Sequence, residues 1–147
     1  MGLFTTERAV SSRSYIFDGA GGMRDQLEQT ILEMLQEKRY PLPTTIANVK
    51  AGGIFGSKEQ CVSIDLKGKQ RIVIANTTVG TYLYVKIYLL VPFVNSTGNA
   101  AFVEPIDDIF KIQQRSAVYS AAVDAVESAF ARLGLKACNR GYHKDND

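Results

Sequence analysis

The chain has 147 residues, 46% of them hydrophobic and 22% charged, with a formal net charge of +2. That is the size of one domain, with enough apolar residues for a core that needs neither disulfide nor metal. The composition argues against wholesale disorder, and so small a charge excess gives no reason of its own to expect a nucleic acid or an anionic membrane as partner.

Residues 1–12 are polar and without periodicity, so they read as a flexible arm. Their start, MGLFTTERAV, lacks the apolar run of a signal peptide. Met1-Gly2 with Thr6 fits an N-myristoylation pattern, but so short a pattern is weak. Residues 13–17 (RSYIF) suit a short strand, which Asp18-Gly19-Ala20-Gly21-Gly22 then breaks. A helix is predicted over 23–38, because Met23, Leu27, Ile31, Met34 and Leu35 recur every three or four residues on one face. Tyr40-Pro41-Leu42-Pro43 stops it.

The middle of the chain reads as β. Residues 44–50 form a strand and 51–56 a loop containing Gly53-Ile54-Phe55-Gly56. In 60–66, Val62, Ile64 and Leu66 alternate with Cys61, Ser63 and Asp65. Lys67-Gly68-Lys69 is a hairpin turn by composition, 70–75 pairs back, and 78–80 turns again. Residues 81–91 make the longest strand. Leu83, Val85, Ile87, Leu89 and Val91 fall on one face, and Tyr82, Tyr84, Lys86 and Tyr88 on the other. The aliphatic face should lie under helices and the tyrosine face should meet water, since Lys86 sits in its middle.

Residues 92–101 read as a loop. Pro105 opens a helix that runs to Leu133, with Gly134 as its C-terminal cap. Residues 139–147 read as a polar tail. The sum is one domain over 13–138, of the α+β class: two layers, a mostly antiparallel sheet of four to five strands, and an N-terminal and a long C-terminal helix on one face.

The most apolar stretch, 83–94, carries Lys86 and is too short to cross a bilayer as a helix. No transmembrane segment is therefore expected, and a cytoplasmic location is. There Cys61 and Cys138 stay reduced, and the Asn-x-Ser/Thr triplets at Asn76 and Asn95 stay unmodified. The two cysteines lack metal-site spacing, and His143, the only histidine, lies in the tail. No esterase elbow, zinc-protease or phosphate-loop motif occurs. Asp107 and Asp108 are adjacent on a helix start and do not converge on one proton or metal. No catalytic residue, metal or cofactor is expected.

Three surfaces remain. Tyr82, Tyr84, Lys86 and Tyr88 could make a protein contact, as tyrosine is enriched at interfaces, and Ile54 and Phe55 at a loop tip could enter a partner's pocket or touch a membrane surface. The same sheet with Lys58, Lys67, Lys69 and Arg71 could stack bases and neutralise phosphates. Gly19, Gly21 and Gly22 at a helix N-terminus, with Arg24 beside them, could hold an anion. The expected function is a non-catalytic protein-interaction or assembly domain that self-associates, most simply as a symmetric dimer. The alternatives are a nucleic-acid-binding module and a binder of a small anionic ligand or nucleotide.

Overall fold

A computed structural model describes residues 5–50, 58–94, 109–138 and 143–145 of the chain. In chain order the elements are β1 (Thr5–Phe17), α1 (Arg24–Glu37), β2 (Thr44–Lys50), β3 (Lys58–Asp65), β4 (Arg71–Val79), β5 (Tyr82–Val94), α2 (Ile109–Arg132) and β6 (His143–Asp145). The strands form one sheet in the order β2-β3-β4-β5-β1-β6, and every neighbouring pair is antiparallel. The class is α+β with two layers. β2 to β5 follow one another as a meander, while α1 carries the chain from β1 at one side of it to β2 at the other.

Both helices pack on the side of the sheet where Leu83, Val85, Ile87 and Leu89 point. These four are buried together with Val62, Ile64, Ile72 and Ile74 of β3 and β4, Leu27 and Ile31 of α1, and Val123, Val126 and Phe130 of α2. The expected alternation thus places the core. Phe130 meets the rings of Tyr15 and Phe17 edge-on, with centroids 4.8 and 4.7 Å away, which ties α2 to β1. Tyr15 donates from its hydroxyl to Glu127 Oε2 at 2.7 Å. Tyr40, just past α1, donates to the Val118 carbonyl at 2.7 Å, and burial pushes its hydroxyl pKa up to about 12. Arg132 of α2 grips Glu37 of α1 with both terminal nitrogens, at 2.7 and 3.0 Å. That pair is exposed, so it orients the helix ends more than it stabilises them.

Three sequence expectations need correction. Residues 5–12, read as an arm, are strand. They continue β1, whose pairing with β5 carries a register shift between Ala9 and Ser11. The extra residue changes which face successive side chains meet, so the stretch shows no steady alternation to read. Second, residues 143–145 of the expected tail pair with Ser11–Arg13 as a short strand at the rim of the sheet. Third, β5 extends to Val94 through Pro92, inside what was expected to be a loop. Pro92 lies past the last β4 partner, Leu90, so it has a strand on one side only and its missing N–H is tolerated.

The β4–β5 hairpin turns on Gly80 and Thr81, between the paired Val79 and Tyr82, with φ of +59° at Gly80. Gly21 packs against this turn. Its N–H donates to the Thr81 carbonyl at 2.9 Å, and the Thr78 hydroxyl donates to the Gly21 carbonyl at 2.8 Å. A Cβ on Gly21 would stand 2.5 Å from the Gly80 carbonyl oxygen, a backbone atom that cannot swing aside. Neighbouring Gly22 would meet nothing within 4 Å. Gly21→Ala should therefore cost about 2 kcal/mol or more, read from urea midpoints, whereas Gly22→Ala should fall within about 1 kcal/mol of the unsubstituted chain. Equal midpoints for the two variants would show that the close approach does not hold the hairpin.

Candidate functional site

The second sheet face carries Tyr82, Tyr84, Lys86, Tyr88 and Leu90 of β5. The register sets Val79, Thr77, Ala75, Val73 and Arg71 of β4 opposite them in turn. β3 adds Cys61, Ser63 and Asp65, and β1 adds Ile16, Ser14 and Ser12. Among the described residues no helix lies over this face. Exposure on it is graded. Val79 at 61% and Tyr82 at 41% stand open at the hairpin end. Tyr84, Lys86, Tyr88 and Leu90 are half-buried, and Cys61, Ser63 and Val73 are buried. Burial, and then the neighbouring Tyr84, raise the Tyr88 hydroxyl pKa above the usual tyrosine range.

Two cations of this face, Arg71 and Lys86, have partners on it. Arg71 holds Glu7 of β1 through Nε at 2.6 Å and through a terminal nitrogen, a bidentate pair that reaches across β5. Both side chains are about one-third exposed or less, at 27% and 31%. The shift near Val10 makes this possible by placing Glu7 opposite Pro92, on the tyrosine side. Lys86 sets its ammonium 5.1 Å from the Tyr88 ring centroid, a cation–π distance. Lys67 and Lys69 are exposed in the β3–β4 turn, away from the tyrosines. Lys58 opens β3, and its pairing partner is Lys50. Of the basic set read from the sequence, the structure therefore brings Arg71 and Lys86 to the tyrosine face and leaves Lys67 and Lys69 at a turn. Ile54 and Phe55 lie outside the described residues.

Gly21 and Arg24 of the anion-binding set are engaged internally. Gly21 donates to Thr81, as above. Arg24 donates through Nε to the Asn76 carbonyl at 2.8 Å, through one terminal nitrogen to the Gln60 carbonyl at 3.0 Å, and through the other to Asp25 at 3.2 Å. The reason lies in the sheet. The β3–β4 ladder stops at Cys61 and Ala75, one rung short of Gln60 and Asn76. Arg24 supplies donors to two carbonyls at that fork. Gly19 and Gly22 have open space around their α-carbons, and Gly19 has a φ of +76°. This fixes a turn.

Glu28, one turn along α1 from Arg24, is buried, and its Oε2 has no hydrogen-bond partner among the described residues. Asn76 is 1% exposed, and neither amide atom has such a partner. So deep an asparagine is also inaccessible to glycosylation in the folded state. Both cysteines are free thiols, Cys61 buried and Cys138 exposed, and burial raises the Cys61 pKa. No cluster of three or more His, Cys, Asp or Glu able to hold a metal occurs among the described residues. No helix of the structure is long and apolar enough to cross a membrane.

Desolvation raises the Glu28 pKa, Arg24 opposes this and Asp25 adds to it. The folded value thus exceeds the unfolded one. Ionised Glu28 costs stability above its folded pKa, and the cost vanishes as pH falls through that value toward the ordinary carboxylate range. Glu28→Gln should stabilise the chain at pH 7 and leave it unaffected at pH 3 to 4, in paired thermal melts. A variant less stable than the parent at pH 7 would show that the carboxylate is compensated in the fold.

No family model matches this chain, and no curated protein matches it. Among solved structures it is similar, at 17% sequence identity and a TM-score of 0.33, to the exocytosis-sensitive phosphoprotein pp63/parafusin, a phosphoglucomutase from Paramecium, in its open form. The match covers 80% of this chain and 21% of that one. A likeness of this degree implies no shared activity.

Proposed function

We propose that this chain is a non-catalytic protein-interaction or assembly domain that self-associates, with the tyrosine-bearing sheet face as a protein contact. One observation carries the reading. Both helices lie on the same side of the sheet, and the opposite side presents Tyr82, Tyr84, Tyr88 and Val79 with no described helix over them. Tyrosine offers large, stiff, amphipathic contact area at small entropic cost. From β2 to β1 the face is about 24 Å wide at about 4.8 Å per strand, and roughly 30 Å long, or about 700 Å². Its accessible part is smaller, because Ser12, Ser14, Cys61, Ser63 and Val73 on it are buried, and it centres on Val79 and Tyr82 at the hairpin end.

Charge favours a protein over a nucleic acid as the occupant. A polyanion site needs cations free to replace condensed counterions. Arg71 is held by Glu7, and Lys86 lies on Tyr88. A partner protein of ordinary composition meets a surface with little net field. The small-anion alternative loses the donors of Gly21 and Arg24 to protein carbonyls.

Tyr82 and Tyr84 are the substitutions to make, because neither belongs to the core cluster. The double variant Tyr82→Ser/Tyr84→Ser should keep its unfolding free energy within about 1 kcal/mol and lose the proteins that the unsubstituted chain retains in affinity purification. Two results would end the reading. One is full retention by the double variant. The other is a single-chain mass at every concentration together with no retained protein.

A further inference from the structure

We propose that β2 is the self-association edge, pairing antiparallel with the β2 strand of a second copy so that two sheets join into one. This rests on the reading that the chain self-associates and names the surface that does it.

The two edges of the sheet are built differently. On one side β1 has a register shift between Ala9 and Ser11, is covered by β6 across Ser11–Arg13, and has its Ile16 carbonyl taken by the Cys138 N–H at 2.8 Å. These are the means by which an edge is kept from pairing with another chain. On the other side β2 pairs with β3 without a break from Thr44 opposite Ile64 to Lys50 opposite Lys58. Among the described residues it has no strand on its outer side. Alternate residues of such a strand direct N–H and C=O groups outward. Its sequence, TTIANVK, holds no proline and one charge, at the end. The Thr45 hydroxyl is turned inward, onto the Ser63 carbonyl at 3.3 Å. Ile46 lies on the helix side of the sheet, opposite Val62, yet is 43% exposed. Among the described residues β2 is thus unbroken, without cover on its outer side, and apolar at its middle.

Charge placement selects the direction, and self-complementarity of the strand the occupant. In an antiparallel pair centred on Ala47 all seven residues of β2 find a partner. Lys50 of one copy then lies opposite Thr44 of the other, and the two lysines stand about 20 Å apart, beyond the Debye length of about 8 Å. Parallel pairing would set them side by side. The same centring places the two Ile46 residues diagonally on one face, roughly 7–8 Å apart, where each covers the other. The contact is isologous and closes at two copies. It leaves the tyrosine faces of both copies adjacent and open to a partner.

Sedimentation over roughly 1 µM to 1 mM, a span suited to so small a contact, tests this on the whole chain with Ile46→Lys and Ile46→Glu. An exposed isoleucine tolerates either change in the monomer. The unsubstituted chain should move from one-chain to two-chain mass. Each variant alone should dimerise at least about tenfold more weakly, and an equimolar mixture should recover the loss, because opposite charges then meet on the diagonal. Hydrogen exchange needs no variant: β2 amides should slow as the unsubstituted chain is concentrated. Dimers as tight as the parent's in both single variants, failure of the mixture to recover, or unchanged β2 exchange would each overturn the edge pairing. The first with exchange unchanged would leave self-association standing through another surface. A single-chain mass for the unsubstituted chain throughout would overturn both this inference and self-association.

Discussion

Leu83, Val85, Ile87 and Leu89 leave β5 on the side that both helices cover, and the rest of the molecule is arranged around that one-sided burial. Each such side chain contributes about 1.5–3 kcal/mol when removed from water. Because strand side chains alternate, sealing one set turns Tyr82, Tyr84, Lys86 and Tyr88 to the other side without any further instruction. The tyrosine-bearing face is therefore a consequence of the core. A slip of β5 by one residue would bury Lys86 and expose four aliphatics, a cost large enough to fix the register.

The same economy explains the glycine-rich turn and Arg24. A segment of three glycines ahead of a helix has the look of an anion site, but here the sheet needs its polar groups. Gly21 must approach the Gly80–Thr81 turn closely enough that no Cβ fits. Arg24 closes the fork where β3 and β4 part company. A buried carbonyl left unpaired costs about as much as a lost hydrogen bond, and at Asn76, 1% exposed, the guanidinium meets that need. Free amides at a helix start are only available donors until the tertiary structure claims them.

What could be read from the sequence follows from how far each signal reaches. α1 and β5 were legible because periodicity is local, with each residue's face fixed by near neighbours in the chain. The two-layer arrangement followed, since the aliphatic face of β5 needed cover. β1 was half legible: Arg13–Phe17 alternate, but the shift near Val10 breaks the period, and residues beyond it looked unstructured. β6 is three residues long, and no periodicity can show in so short a piece. The site was legible in composition and not in pairing. That Arg71 meets Glu7 rather than Asp65, its direct neighbour across the strands, depends on a contact between residues 64 positions apart. A count of basic residues treats Arg71 as free; the structure treats it as half of a neutral pair.

That pair bears on partner choice beyond its own charge. If Arg71 were free, the face would combine a guanidinium with Lys86 amid three tyrosines, an arrangement suited to stacked bases over phosphates. With Glu7 in place, the same aromatics remain while the attraction for phosphate falls, and replacing the ion pair by a phosphate contact would strand a partly buried carboxylate. In an association of the proposed kind, the edge would contribute backbone hydrogen bonds that need no particular side chains, and the face tyrosines that do. The two surfaces need not compete, because one lies along the rim of the sheet and the other across its breadth. Pairing at the rim extends the breadth, so a partner bound to the face of one copy could also reach the face of the next.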